Sequence, residues 1–298
     1  MPELPSAPLR AVTDDEVAVF RRDGVVHLPG ILPNAWLEQL AGPVEATISD
    51  RTVTTDMTAL RAELSDDVSV DHGPRFFSGI DHWHHDTVFA AFATRSPLPG
   101  IAGAVLDAAQ IHLYEDSVLV KEPGAAEATV LHQDLGYFHL EGDRICTIWV
   151  PLDSVDAETG AVSYLRGSQR SGLVHRPNWF VTDDPLPGAA GVPVPSIAED
   201  DDRFVRFDAY PGDVIVHHAA TLHRAGPNQS ATRRRRAVSV RYCGDGTVHR
   251  IRPGSPLKPH HEGHRHDGAY DTPIRSSDPV VDHPGCPMVW ERPVGSAW

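Results

Sequence analysis

Leu131-His132-Gln133-Asp134-Leu135-Gly136 is the stretch on which the reading of this chain turns. In extended backbone, residues i and i+2 project to the same face. The His132 imidazole and the Asp134 carboxylate can therefore converge on a single ion. Two ligands make half a site, so a third must come from elsewhere in the chain. The best candidate is His223, in Thr221-Leu222-His223-Arg224-Ala225-Gly226-Pro227-Asn228. Two His and one carboxylate on one side of an ion leave its remaining positions open. His-x-Asp recurs by chance in many chains, so its weight depends on what surrounds it.

The surroundings read as β-structure. Ala128 to His132 leads into the motif. Before it, Ile111–Tyr114 and Ser117–Lys121 are β-branched or apolar, with a turn expected at Glu115-Asp116. After it, Asp143–Leu152 is a nearly continuous apolar run expected to be a central strand. Ala161–Leu165, Phe204–Asp208 and Gly212–His217 follow, and Arg236–Tyr242 alternates as the last core strand. Between them, residues 171–203 contain five prolines and an acidic run and predict a long loop of the lid or substrate-binding kind. Toward the N-terminus the period changes. Residues 1–12 are Pro-rich and expected to fray. Thr13 reads as the cap of an acidic-first helix running to about Arg22. Val25–Leu28 is a short strand, and Ile31–Ser49, Met57–Leu64 and Leu98–Ala109 read as helices. Residues 75–86 carry His82, Trp83, His84 and His85 between Asp81 and Asp86. No tetrahedral metal spacing fits them, so the expectation is a polar loop or strand near a substrate mouth. The tail from Asp245 is rich in Pro and His, and Pro259–Asp267 is expected to be an exposed loop.

Composition narrows the partners. The 298 residues suffice for one large domain with a sizeable core. A formal net charge of −15 argues against nucleic acid or an anionic membrane surface. Three cysteines are too few and too scattered for a disulfide framework or a zinc knuckle. No run resembles a signal peptide or a membrane span, so a cytoplasmic protein acting on a small molecule is expected. The 26 Pro and 24 Gly predict many turns around a β-rich core. The expected class is α+β with a mainly β core, a jelly roll or cupin-like double sheet with flanking N-terminal helices. Oligomeric state is not legible.

Several blocks now occur in a recognisable order: Val120-Lys121-Glu122-Pro123-Gly124, His132-Gln133-Asp134, Ile148-Trp149-Val150-Pro151-Leu152-Asp153, Gly160-Ala161-Val162, Arg166-Gly167-Ser168, Pro211-Gly212-Asp213 and Leu222-His223-Arg224-Ala225-Gly226-Pro227-Asn228. The order resembles that of the phytanoyl-CoA dioxygenase family of Fe(II)- and 2-oxoglutarate-dependent oxygenases, from about residue 13 to about residue 290. The resemblance implies a double-stranded β-helix, a single oxygenase domain over residues 1–298, and the cofactor set Fe(II), 2-oxoglutarate and O2. The metal ligands carry over as His132, Asp134 and His223. His217 and His218 are rivals for the distal ligand. The family's non-ligand His, five residues before the distal one, matches His218, and the Gly-Pro-Asn after His223 favours His223.

The far carboxylate of 2-oxoglutarate calls for a cation, and the planar fork of Arg suits it. The family places that Arg early in the last core strand, where this chain has Arg233-Arg234-Arg235-Arg236. Counting from His223 points to Arg234; strand alternation back from Ala237 points to Arg235, which is preferred. Gln133 and Trp149 match family positions lining the cosubstrate pocket, with Lys121 a weaker candidate and Thr147 and Ser239 as further hydroxyls. The implied reaction releases succinate and CO2 and hydroxylates a substrate C–H bond. Asp134 fills the position that halogenases of this type leave to a small residue, which favours hydroxylation, or a desaturation or cyclisation. Substrate contacts are expected from residues 75–90 and 171–203 and from Tyr137 and Phe138. Two other classes compete: a non-catalytic jelly-roll binding module, which needs neither triad nor Arg, and a zinc hydrolase using the same cluster, which lacks a general base.

Overall fold

The computed structural model describes residues 4–65, 73–258, 261, 264–265, 268–269, 274–281, 285–293 and 295. Thr13 caps the first helix, α1 (Asp14–Asp23). Its hydroxyl accepts the Glu16 N–H while the Glu16 carboxylate accepts the Thr13 N–H, a capping box. Gly24 ends α1 in the left-handed conformation, φ 78°, and a Cβ there would strike Gln169 and Thr221. Both constraints select glycine. The short β1 (Val25–Leu28) and the helix α2 (Asn34–Ser49) follow, then β2 (Thr54–Asp56), α3 (Met57–Leu64) and β3 (Phe76–Ile80). Ahead of α1, the chain is tied down where Pro5 O accepts from Trp36 Nε1 and Leu9 N–H donates to Ile31 O.

Two helices come next, α4 (Thr87–Arg95) and α5 (Leu98–Leu106), and then the β-rich part: β4 (Gln110–Lys121), β5 (Thr129–His132), β6 (Leu140–Glu141), β7 (Ile145–Pro151), β8 (Val162–Leu165), β9 (Phe204–Arg206), β10 (Val214–His218), β11 (His223–Ala225), β12 (Arg235–Gly244) and β13 (Val248–His249). The tail adds β14 (His264–Arg265), β15 (Gly268–Ala269) and β16 (Met288–Glu291). An eight-stranded sheet runs β1-β10-β7-β12-β4-β3-β2 with β16 paired onto β4, and a four-stranded sheet runs β5-β11-β8-β9. All named pairings of these two sheets are antiparallel. The two sheets form the double-stranded β-helix that the sequence leads one to expect.

Strand alternation divides the large sheet into two faces. Ile148, Val150, Val214, Val216, Val238 and Val240 point outward into a core shared with Leu40 and Val44 of α2, Phe92 of α4 and Ile101 of α5. Each such fully buried side chain contributes roughly 1.5–3 kcal/mol. The alternate residues Trp149, Ile215 and Ala237 face the interior, where Val162 and Tyr164 of the small sheet meet them. The helices thus cover one face of the large sheet, and the other face is free to build a site.

The largest departure from the sequence reading is β4. A turn is expected at Glu115-Asp116, but the strand passes through both. The two acids are buried and matched by distant residues. Glu115 pairs with Lys258 at 2.7 Å, and Asp116 accepts the Trp83 N–H, its carboxyl pushed up to about 8 by burial. Two further differences concern α4 and the histidine-rich stretch before it. Asp86 is a cap, accepting the Val88 and Phe89 N–H groups, and Asp81 holds Lys258. His82 sits in a 3-10 turn, 2% exposed; burial pushes it down to about 4. Its unfolded-state value is near 6.5, so the unfolded chain takes up a proton first as pH falls. The stability tied to neutral His82 is full above about pH 6.5 and is lost down to about pH 4, at up to about 1.4 kcal/mol per pH unit. Denaturant unfolding of His82→Phe should show a shallower acid decline than the parent; an identical slope would remove His82 from the account. The stretch 259–267 is not simply an exposed loop: His261 is buried and His264–Arg265 form β14, while residues 259, 260, 262, 263, 266 and 267 lie outside the described residues.

Candidate metal and cosubstrate site

The small sheet brings the expected ligands together. β5 and β11 are antiparallel neighbours, with His132 directly opposite His223. Asp134 opens the 3-10 turn that follows β5. The Asp134 Oδ1 lies 3.7 Å from His132 Nε2 and 3.6 Å from His223 Nε2. One ligating atom from each residue falls within 4.8 Å of the others, and all three residues are buried. Each imidazole is oriented from behind: His132 Nδ1 lies 2.8 Å from Val130 O and His223 Nδ1 2.9 Å from Thr221 O. With Nδ1–H donating to a carbonyl, Nε2 keeps its lone pair for the centre. Burial pushes His132 down to about 3 and His223 down to about 4, so both are neutral donors near neutral pH.

The carboxylate is held as firmly. Thr147 Oγ1 donates to Asp134 Oδ2 at 2.5 Å, and His217 Nε2 lies 3.2 Å from the same oxygen. Burial opposes the charge of Asp134, but the hydrogen bond with His217 and the neighbouring His223, His217 and Arg241 hold its carboxyl well below the usual range. His217 is thus an outer partner of Asp134. His218, the other rival, bonds to Asp143 O and the Ala220 N–H instead. Thr147→Val should lower Fe(II) affinity by roughly 10–100-fold, the usual effect of losing an outer partner, and leave 2-oxoglutarate recognition intact. Fe(II) titration measures this, and an unchanged affinity would count against the role.

The four arginines separate cleanly. Arg233 pairs with Asp156 and Glu158, Arg234 with Glu122 and Glu45, and Arg236 with Asp153 and Glu45. Arg235 alone turns inward, 1% exposed. Its Nη2 donates to Gly160 O, while Nε and Nη1 are buried without partners. Trp149 lies beneath it, with the guanidinium carbon 5.8 Å from the ring centroid. Arg235 and Trp149 line the same cavity as His132, Asp134 and His223. Tyr164, which the sequence reading overlooks, lines it too, and its buried hydroxyl has no partner. The signal available was β8 alternation, which puts Tyr164 on the face of Val162.

Two other expected cosubstrate residues sit elsewhere. Lys121, opposite Arg235 in the ladder, donates to Glu127 O and Gly226 O. Burial drives its ammonium well below the ordinary lysine value. Gln133 clamps backbone, bonding to Leu173 O, Ala220 O and the His175 N–H. Residues 171–203 do reach the site. Asn178 bonds to Leu131 O, and Phe180, held at φ 70°, presses its ring edge-on to His132 at 4.9 Å between centroids. Beyond His132 and Asp134 a cavity of about 320 Å³ opens, walled by Met57, Leu60, Leu119, Tyr137, Phe138 and Phe180 among others.

The donor set fits a ferrous ion: two neutral imidazoles and one carboxylate on one side suit Fe(II) with open positions. The unmade hydrogen bonds of Arg235 and Tyr164 in the same cavity fit a carboxylate at its far end.

Several known proteins are similar to this chain in sequence or fold. Among curated proteins, the 1-deoxypentalenic acid 11-beta-hydroxylase of Streptomyces exfoliatus is 25% identical over 231 residues, 73% of this chain and 77% of that protein. A probable alpha-ketoglutarate-dependent hypophosphite dioxygenase of Stutzerimonas stutzeri is 28% identical over a shorter stretch, 42% of this chain and 43% of that protein. Among solved structures, the epimerase SnoN in complex with Fe3+, alpha ketoglutarate and nogalamycin RO superposes with a TM-score of 0.67 at 20% identity, covering 93% of this chain and 98% of SnoN. The carbocyclase SnoK from nogalamycin biosynthesis gives 0.65 at 20% identity, covering 94% and 97%. The Phytanoyl-CoA dioxygenase (PhyH) family matches residues 20–237, and the chain belongs to that family.

Proposed function

We propose that this chain is a non-haem Fe(II)- and 2-oxoglutarate-dependent dioxygenase that hydroxylates a small organic molecule, with release of succinate and CO2. The observation that carries the reading is one buried cavity with His132, Asp134 and His223 at its centre and the unpartnered donors of Arg235 beyond them. A zinc hydrolase or a passive binding module would give Arg235 no task. Fe(II) held by the three ligands would supply O2 activation coupled to decarboxylation of the keto acid.

The protein's part is orientation and exclusion. Thr147 and His217 fix the Asp134 carboxylate, and the carbonyls of Val130 and Thr221 fix the imidazoles. Arg235 and Tyr164 would receive the distal carboxylate of the cosubstrate. Tyr137 and Phe180 close over His132 and keep water from it. We read residues 171–203 as the substrate loop of a single oxygenase domain. The hydroxylase relative from Streptomyces supports hydroxylation of a small molecule, and the carbocyclase from nogalamycin biosynthesis supports tailoring of a secondary metabolite. Among the described residues no helix is long and apolar enough to cross a membrane, and three free buried cysteines suit a reducing cytoplasm.

The test is an anaerobic titration. Fe(II) plus 2-oxoglutarate should produce a weak visible charge-transfer band, Zn(II) plus 2-oxoglutarate none. Exposure to O2 with a panel of small molecules should then yield succinate in step with product. A protein that gives no band with Fe(II) is not this enzyme.

A further inference from the structure

Arg241 has no part in the assignments above, yet it stands beside the ligands. On β12, alternation puts Arg235, Ala237, Ser239 and Arg241 on the interior face. Arg241 pairs in register with Thr147, the residue that holds Asp134. Opposite Arg241 the ladder slips: Arg241 faces Glu115 while Tyr242 faces Leu113, so Tyr114 on β4 is left unpaired. Such bulges re-aim side chains and gather near active sites. The guanidinium lines both the cosubstrate cavity and the larger cavity beyond it. Its Nε and Nη1 are buried and make no hydrogen bond.

The nearest acid does not satisfy it. Glu115 Oε1 lies 3.6 Å from Arg241 Nη1, too long for a hydrogen bond, while Glu115 Oε2 is 2.7 Å from Lys258 Nζ. Lys258 is also gripped by Asp81 at 2.8 Å. A guanidinium whose only task was to balance Glu115 would close on it as Lys258 does. Arg241 instead keeps donors unspent at the edge of a cavity, where a buried donor without a partner is costly.

We propose that Arg241 anchors the substrate, donating to a carbonyl-type oxygen of an otherwise apolar, uncharged molecule and so setting which carbon lies next to His132 and Asp134. This deepens the oxygenase reading and rests on it. Two features select the class. Met57, Leu60, Leu119 and Phe180 make one wall of the cavity apolar. On the polar wall two cations, Arg241 and Lys258, face two acids, Asp81 and Glu115, so these four groups carry no net charge to attract an anion. A neutral acceptor oxygen takes up the unmade hydrogen bonds without unbalancing the wall. Sites built this way discriminate strongly against analogues that lack the acceptor, because the protein's own group is then left unpaired.

The experiment uses the Fe(II)- and 2-oxoglutarate-loaded protein under anaerobic conditions. Three matched probes, α-tetralone, tetralin and tetralin carboxylate, are titrated against the charge-transfer band in wild type and in Arg241→Met, Arg241→Gln and Arg241→Lys. In wild type the ketone should bind roughly 10-fold or more tighter than tetralin, and tighter than the carboxylate. Arg241→Met should erase the ketone's advantage and Arg241→Lys keep part of it, with 2-oxoglutarate affinity changed less than about threefold. Arg241→Gln covers the case in which methionine disturbs folding. A ketone advantage that survives in Arg241→Met, or undiminished in Arg241→Gln, preference for the carboxylate, or no preference at all overturns the proposal. A tenfold loss of 2-oxoglutarate affinity in Arg241→Met does so too, by making Arg241 a cosubstrate ligand. Absence of the band in wild type sinks the oxygenase reading itself, an outcome distinct from a band that forms and ignores the probes.

Discussion

Arg235→Met is expected to weaken 2-oxoglutarate binding by roughly 30-fold to several thousand-fold, the usual consequence of removing one partner of a buried charge pair. The same substitution should make the protein without metal or cosubstrate more stable. In that state Arg235 is fully buried with two guanidinium nitrogens unpartnered, and burial already pulls its pKa down to about 10. Replacing it with an apolar side chain of similar length removes a desolvated charge, a change worth about 1–3 kcal/mol in favour of the fold. Opposite signs in stability and affinity are the signature of a residue placed for a ligand. Thermal unfolding and 2-oxoglutarate titration of the Fe(II) protein read the two. Affinity within about threefold of wild type would refute the assignment. Arg234→Met, which breaks only the pairs with Glu122 and Glu45, is the control and should leave affinity nearly unchanged.

For Asp134→Ala both quantities should fall. Iron-dependent succinate release should drop by far more than the roughly 10–100-fold that loss of an outer partner brings, because a ligand itself is gone. The protein should also lose stability before any metal is added. Without the carboxylate, the Thr147 hydroxyl and the His217 ring are buried with no acceptor, at about 1–3 kcal/mol for each. Asp134→Asn, which keeps the shape and an acceptor oxygen, should recover much of the stability and little of the activity. An Asp134→Ala protein that still takes up Fe(II) with near wild-type affinity would remove Asp134 from the ligand set.

What the sequence disclosed, it disclosed through local chemistry. Thr13 with Glu16 and Gly24 bounds α1, alternation and β-branching locate most core strands, and the spacing of His132 and Asp134 marks the centre. Alternation alone separates Arg235 from Arg234: Arg235 is buried, and Arg234 pairs with Glu122 and Glu45. What it concealed depended on partners far away in the chain. Glu115-Asp116 looks like a turn until Lys258, from a tail that carries no periodic signal, arrives to neutralise Glu115. The α4 helix was hidden because its cap, Asp86, reads as part of a polar histidine cluster. Tyr164 and Arg241 carry no motif and become conspicuous only through buried donors that make no hydrogen bond.

The placement of His223 opposite His132 on paired strands of the small sheet also dictates an order of events during synthesis. His132 and Asp134 leave the ribosome almost together, but His223 follows long afterwards and reaches them only when β11 docks between β5 and β8. A nascent chain that has not closed this distant contact offers iron only two of the three proposed donors. On the proposed ligand set, three-donor coordination is available only to the finished barrel, and the affinity added by the third donor would report that the sheets have closed.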